Sequence, residues 1–399
     1  MRIEAAWLRE KPLADLLALL NANGEEGRVV GGAVRNELMK LPHGDIDVAT
    51  TAEPKEVMRR ANAAGFKTVP TGIDHGTVTV VIQSKPFEVT TLREDVETFG
   101  RHATVRFGRD WTRDAARRDF TMNGLSLSAN GDVHDHVGGL ADIETRRVRF
   151  IGDPATRIAE DYLRILRFFR FHAYYGHGAP DAAGLHAAIA GRGGLEALSR
   201  ERVRMELMKL LVAPRALSAL TAMADAGLLG MVIGGVPYLH SLERMMQAEA
   251  ACGLAGDAVL RLGALAVWIA EDAERLRERL RLFNAEHATL AAMDHWWRVS
   301  PAADARALLY ALGPEHYTAR VMLAWSRARD DAGWREAATL PQRWSAPKFP
   351  VKAADFMARG IEKGPHLGAA LARAEQAWVS AGFPMDEVEL RRIVEEAAG

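Results

Sequence analysis

The chain has 399 residues, 48% of them hydrophobic, enough to bury a large core and to divide into two or more domains. Lys and Arg number 51 against 52 for Asp and Glu, a net charge of −1, so there is no global pull on a polyanion and any basic surface must be local. The single cysteine, Cys252, excludes an internal disulfide and a thiolate metal cage; it reads as a small buried side chain in a reducing compartment.

Taken in chain order, the N-terminus scatters Glu4, Arg9, Glu10, Lys11 and Asp15 among its apolar residues and lacks the unbroken apolar run of a secretory signal. Arg28-Val29-Val30 predicts a short buried strand and residues 33–40 a helix, which puts Gly31-Gly32 on the turn between them. At such a turn backbone N–H groups can hold phosphate oxygens, because glycine has no Cβ to block them and the helix start carries positive potential. Asp45-Ile46-Asp47-Val48 predicts a strand with both carboxylates on one face and the two apolar residues on the other. Adjacent carboxylates repel unless a cation neutralises them, and hard oxygen ligands suit Mg²⁺ bound jointly with substrate phosphates. Glu88, the one acid in the strand-like run at residues 85–92, is available as a third. Alone, each motif is more often a plain turn or a chance acidic pair. Their succession is what points to metal and a nucleoside triphosphate.

Strand-like runs at residues 77–82, 87–92, 125–128 and 147–151 alternate with short helical segments such as 54–64, and beyond about residue 150 the pattern is helical. Breaks fall near 176–180, 191–194, 234–237, 313–314, 344–350 and 364–365. Residues 93–119, dense in charge and punctuated by Gly100-Arg101-His102 and Phe107-Gly108-Arg109, predict a mobile loop. It ends at Arg117-Arg118-Asp119-Phe120-Thr121-Met122-Asn123, which offers either a solvated charged face or donors for a triphosphate and ribose. In Glu160-Asp161-Tyr162-Leu163-Arg164-Ile165-Leu166-Arg167, a continuous helix would align Ile158, Tyr162, Ile165, Leu166 and Phe169. Glu160, Asp161, Arg164 and Arg167 then gather opposite, with both acids reaching the Arg164 guanidinium. A carboxylate acceptor beside an arginine donor matches the Watson–Crick edges of cytosine and adenine and mismatches uracil and guanine. The bland alternative is a surface salt-bridge ladder. Residues 217–239, the most apolar stretch, are interrupted by Asp225, several glycines and Pro237, which excludes a membrane span. His295-Trp296-Trp297 reads as aromatics buried between helices rather than a stacking platform. The arginines at 275–281 and 320–329 read equally as phosphate contacts or as solvated faces.

Five ordered segments resemble the class II tRNA nucleotidyltransferases, or CCA-adding enzymes, and the similar bacterial poly(A) polymerases of the polymerase β superfamily. These are Gly31-Gly32-Ala33-Val34-Arg35 with Asp45-x-Asp47; Arg117-Arg118-Asp119-Phe120-Thr121-x-Asn123; Asp135-x-x-Gly138-Gly139-x-x-Asp142; Glu160-Asp161-x-x-Arg164; and Glu201-Arg202-Val203-x-x-Glu206. The resemblance implies an α+β chain: a nucleotidyltransferase head with a mixed sheet over 1–150, a helical nucleotide-selecting neck over 151–215, and a helical, tRNA-binding body and tail over 216–399. It implies Asp45 and Asp47 as ligands of Mg²⁺, Glu88 as the third catalytic carboxylate, and Gly31, Gly32, Arg35, Arg118, Asp119 and Asn123 around the ribose and triphosphate. Asp161 and Arg164 would face the base, Glu160 would hold Arg164, and Arg167 would complete the nucleotide site. Residues 135–142 would be the springy joint between head and neck, and residues 93–113 the loop needed when selection changes from C to A. Asn36 stands where the family usually has aspartate. The implied activity is template-independent addition of CMP and AMP, from CTP and ATP, to the 3′ end of tRNA by two-metal transfer in the cytoplasm. Poly(A) synthesis is the near alternative and non-catalytic RNA binding the distant one.

Overall fold

One mixed sheet organises the first half of the chain in a computed structural model that describes residues 1–99, 102–301 and 305–399. Its strands are β1 (Gly27–Val30), β2 (Asp47–Thr50), β3 (Lys67–Gly72), β4 (Thr77–Ile82) and β5 (Lys85–Thr91). A separate antiparallel pair, β6 (Arg93–Phe99) and β7 (His102–Phe107), interrupts the run before β8 (Leu125–Leu127) and β9 (Val133–Asp135). Sheet order is β3-β4-β5-β2-β1-β8-β9, and β2 with β5 is the one parallel neighbour pair.

Helix α1 (Lys11–Leu20) buries Leu13, Leu16, Leu17 and Leu20, a spacing of three and four that forms one apolar stripe. With Val34 of α2 (Gly32–Leu38) and Val57 and Ala61 of α3 (Pro54–Ala63), these side chains share one core with Val29, Val48, Val78, Val80, Phe87, Val89, Leu125 and Leu127. Each buried leucine contributes roughly 1.5–3 kcal/mol. Ala49 faces the opposite side and packs with Val30, Leu92 and Trp111, so β2 is covered on both faces from Val48 onward. Carboxylates survive only at its entrance.

Two expectations fail here. The 93–119 segment is not a structureless loop: Thr, Val and Phe residues recur among its charges, Arg93 pairs with Phe107 through to Phe99 with His102, and a helix follows at Trp111–Ala116. Gly100 and Arg101 lie outside the described residues. The 147–151 run is extended but forms a single bridge, Phe120 to Phe150, because Phe150 is drawn into an aromatic cluster rather than a ladder. Phe120 lies 4.9 Å from Phe150 and 4.8 Å from Phe171, and Phe150 lies 5.4 Å from Phe168, which seats the helix Leu163–Tyr175 on the end of the sheet domain.

Further helices follow: α4 (Trp111–Ala116), α5 (Gly139–Glu144), α6 (Pro154–Glu160), α7 (Leu163–Tyr175), α8 (Ala182–Ala190) and α9 (Arg200–Leu211). Residues 135–142 are tightly tied. Asp135 accepts from the N–H groups of Val137, Gly138, Gly139 and Leu140 at 2.9–3.1 Å, and Asp142 accepts from Thr121 Oγ1 and from Arg149 Nε at 2.9 Å.

The described chain divides into two compact units, Met1–Val232 and Ile233–Gly399. The second is helical from Leu239–Ala251 to Glu387–Ala398, with Trp378, Phe356, Ala374 and Ile393 in one of its cores. Its helix Ala305–Ser326 kinks at Gly313, φ 73°, before Pro314, where the sequence places a break. Among the described residues no helix is long and apolar enough to cross a membrane. The His295-Trp296-Trp297 expectation is met only in part: Trp296 is half-buried and packs on Trp268 at 5.2 Å, whereas Trp297 is 49% exposed and His295, at φ 59°, is exposed. Arg275, Arg320 and Arg327 donate to the carbonyls of Ile233, Ala292 and Val267, which commits part of each guanidinium to the fold.

Candidate active site

The site grows from the ends of β1 and β2. Val30 and Asp47 are register partners, so the turn that follows β1 sits beside the carboxylate that opens β2. Gly31 takes φ 71°, which favours glycine, and a Cβ there would lie 3.2 Å from Arg118 Nη1. The turn thus gives the Arg118 guanidinium room to approach. Across the parallel pair, Asp47 is level with Glu88. Asp45 precedes the strand, which corrects the expected Asp45–Val48 strand; both-face burial starts at Val48, so no pleat orients Asp45. Ile46 and Val48 do pack into the same core. The Asp47 carboxyl is pushed above its ordinary value by desolvation first, then by Glu88 and Asp45, against the pull of Arg118. Crowded negative charge of this kind is the setting in which a divalent cation is favoured. Among the described residues, however, no three His, Cys, Asp or Glu side chains close into a ready-made metal cage.

Arg35, on the first turns of α2, is buried yet held by neutral acceptors: Asn123 Oδ1 at 2.5 Å, Asn36 Oδ1 at 2.8 Å and Tyr175 Oη at 2.8 Å, with the Tyr175 ring 3.8 Å from its carbon. Asn36 also donates to the Pro42 carbonyl at 2.8 Å, the backbone bond that an amide supplies and an ionised aspartate does not. Asp119 receives Arg167 Nε at 3.0 Å, Asn123 Nδ2 at 3.0 Å and its neighbour Phe120 N–H at 2.9 Å. Burial alone would raise this carboxyl, but Arg167, with the Asn123 and Phe120 bonds, outweighs it and holds the carboxyl below the usual range.

The expected continuous helix through residues 160–167 is broken. Asp161 has φ −155° and ψ 106°, ending α6, and α7 restarts at Leu163. Glu160 still accepts from Arg164, as its spacing predicts, and from Arg157. Asp161 does not share that guanidinium. Its Oδ1 caps the Leu163 N–H at 3.1 Å and its Oδ2 accepts from Arg202 of α9 at 2.6 Å. Glu206, on the same face of α9, is buried and accepts from Arg170 at 2.5 Å.

Ten of the thirteen residues singled out from sequence line a single open cleft of about 500 Å³: Gly31, Gly32, Arg35, Asp47, Arg118, Asp119, Asn123, Asp161, Arg164 and Arg167. Asp45, Glu88 and Glu160 are not in its wall. Leu163, Phe171 and Arg202 join it. Arg202 stands in a quoted motif without a role; the only sequence signal for it was that motif, since a residue 41 positions away gives no local hint of contact with Asp161. Five guanidiniums face three carboxylates across the cleft, an excess of positive charge suited to a polyphosphate.

A family model described as the poly A polymerase head domain matches residues 27–149, and one described as a probable RNA and SrmB-binding site of polymerase A matches residues 189–242. The chain is 33% identical over 389 residues to the human mitochondrial CCA tRNA nucleotidyltransferase 1, covering 95% of this chain and 88% of that protein. It belongs to the CCA tRNA nucleotidyltransferase family. A CCA-adding enzyme of Limosilactobacillus fermentum is 31% identical over 392 residues, 93% of each chain. In three dimensions the fold superposes on a Bacillus stearothermophilus CCA-adding enzyme solved in complex with CTP, with TM-score 0.78, 29% identity and 97% of both chains covered. Membership of this nucleotidyltransferase family agrees with the mixed-sheet head and helical remainder found here.

Proposed function

We propose that this chain adds CMP and AMP, taken from CTP and ATP, to the 3′ end of tRNA, building or repairing its CCA terminus. The observation that carries the reading is one cleft in which the Asp47 carboxylate, the Gly31-Gly32 turn, the Arg118–Asn123 segment and the Asp161 and Arg164 pair all meet. The terminal 3′-hydroxyl attacks the α-phosphorus and pyrophosphate departs. Such a transfer needs positioning and charge neutralisation more than covalent help, so no nucleophilic side chain is called for.

Each group takes a share of that task. Arg118 and the N–H groups after Gly31 hold the triphosphate, with Arg35 and Asn123 behind them. Asp47, Glu88 and Asp45 would hold Mg²⁺, and the electrostatic crowding at Asp47 supports the fit. When bound, the metal supplies a lowered hydroxyl pKa and charge compensation for the leaving oxygens. Asp161 has spent two of roughly four carboxylate lone-pair sites on Leu163 and Arg202, which leaves capacity for an exocyclic amino group. Arg164, held by Glu160, offers the complementary donor to a ring nitrogen. That edge suits cytosine and adenine.

The three-part division, a head to residue 150, a neck over 151–215 and a body with tail from 216, belongs to this proposal, as does a cytoplasmic site of action. The near rival is AMP-only addition, favoured by the match to a poly A polymerase head model. Incubation with tRNA lacking its last three nucleotides, CTP, ATP and MgCl₂, followed by sequencing of the products, tests it. Ordered C, C and A support the reading, runs of A favour the rival, and no metal-dependent extension refutes catalysis altogether.

A further inference from the structure

Arg157 lies on α6, outside the wall of the cleft, and its side chain is largely buried. It makes four hydrogen bonds that join parts of the site otherwise held apart. Its Nη1 donates to Glu160 Oε2 at 2.5 Å, the same oxygen that receives Arg164. Its Nη2 donates to the carbonyls of Arg117 at 2.5 Å and Arg118 at 2.6 Å, the end of α4, where the helix dipole favours a cation. Its own carbonyl accepts from Arg164 Nη1 at 2.6 Å.

Two cations therefore share one carboxylate, and one of them is anchored to the backbone that carries Arg118 and Asp119. Reaching all three acceptors leaves Arg157 Nε buried without a partner. Repulsion between the guanidiniums also means that Arg164 cannot swing toward Arg157; Glu160 and the Arg157 carbonyl fix it from one side only, with its remaining donors toward the cleft.

We propose that Arg157 is a positioning residue for nucleotide selection: it locks the base-facing Arg164 to the phosphate-facing Arg117–Asp119 segment, so that the base is read at a fixed distance from the triphosphate. The inference rests on the function proposed above and adds to it a residue that touches no substrate. Lysine has a single donor centre and cannot span the carboxylate and two carbonyls at once, which makes the conservative change informative.

The test uses the full-length protein, tRNA lacking its 3′ CCA, and CTP or UTP as sole nucleotide. For Arg157→Met the ratio of kcat/KM for CTP over UTP is expected to fall about tenfold, equivalent to about 1.4 kcal/mol of lost discrimination. Arg157→Lys should fall between that variant and the parent. Equal loss of kcat with both nucleotides, the ratio staying at the parent value, overturns the proposal and leaves Arg157 a structural residue. If Arg157→Met does not fold, the ratio for Arg157→Lys decides alone, and an unchanged value overturns the proposal. Arg164→Met runs alongside. A ratio unmoved in Arg164→Met brings down the base-reading role of Arg164 and this inference with it, whereas a ratio lost in Arg164→Met but kept in both Arg157 variants brings down this inference only.

Discussion

Replacing Asp119 with asparagine removes the charge from the best-connected carboxylate of the cleft while keeping its shape. Asp119 Oδ2 accepts twice from Arg167, and Oδ1 accepts from Asn123 Nδ2 and the Phe120 N–H, so every acceptor direction is used by a donor. An amide must turn its NH₂ toward one of those donors, opposing donor to donor whichever way it flips. It also leaves the half-buried Arg167 with a neutral partner at best, its remaining carboxylate being Glu206 at 3.8 Å. Breaking a fully buried pair costs roughly 3–5 kcal/mol; the one-third exposure of Arg167 and its residual Glu206 contact argue for the lower end, at most about 3 kcal/mol. For a unit of this size that lowers Tm by at most about 6–12 °C. The pH dependence has a definite sign. Because the folded carboxyl is held below its ordinary value, its contribution is complete above the unfolded value near about 3.9 and is lost as pH falls through the folded one. Calorimetry or urea melts of parent and Asp119→Asn at pH 7 should therefore differ by at most about 3 kcal/mol, and the gap should close under acid. A cycle with Arg167→Met should show strong coupling between the two positions. A gap below about 1 kcal/mol at pH 7 would refute the account of Asp119 as the electrostatic anchor of Arg167.

Three other perturbations separate chemistry from scaffold. Asp47→Asn should abolish nucleotide transfer, yet in chelator its melting should be unchanged or raised by at most about 1 kcal/mol, because one member of a repelling acidic group is neutralised; a large fall in chelator would mark Asp47 as structural. Gly139→Ala places a Cβ 2.3 Å from the Thr121 carbonyl oxygen, a clash with backbone that no rotamer relieves, so urea melts should show a loss of at least about 1–3 kcal/mol. Arg202→Met removes a charged hydrogen bond to Asp161 and should raise KM for CTP roughly tenfold with a smaller effect on kcat, read by steady-state kinetics.

Much of the site was legible because its signals are local. Val30 before Gly31, and the apolar Ile46 and Val48 around Asp47, announce a strand end and a turn through nearest-neighbour chemistry, and the structure places them there. The i,i+4 spacing of Glu160 and Arg164 is of the same kind and yields the contact it predicts. What was not legible depends on partners far away in sequence. The β6–β7 pair hides its β-formers among charges, so composition reads as a loop while pairing across the ribbon decides otherwise. The 147–151 run has strand-like residues, but Phe150 gains more from the Phe120 and Phe168 rings than from a ladder neighbour. Trp296 and Trp297 look alike by residue type, yet Trp296 packs on Trp268 at 5.2 Å while Trp297, past the left-handed turn at His295, is exposed.

The break at Asp161 shows why the difference between local and distant matters for function. On an unbroken helix Glu160 and Asp161 would both converge on Arg164, satisfying each other and leaving little acceptor or donor capacity for a ligand. The break turns Asp161 out of register: one oxygen starts α7 by capping Leu163, and the other finds Arg202, forty-one residues on. Glu160 is left alone with two arginines. Each acid thus has its own cation, and Asp161 and Arg164 reach the cleft as an independent acceptor and donor instead of as a neutralised pair. No helical periodicity predicts that arrangement, because residues 158–169 keep an apolar stripe whether or not the backbone is interrupted in the middle. The interruption goes with what Asp161 reaches on α9 and what its carboxylate caps on α7, and those same two contacts hold it at the cleft.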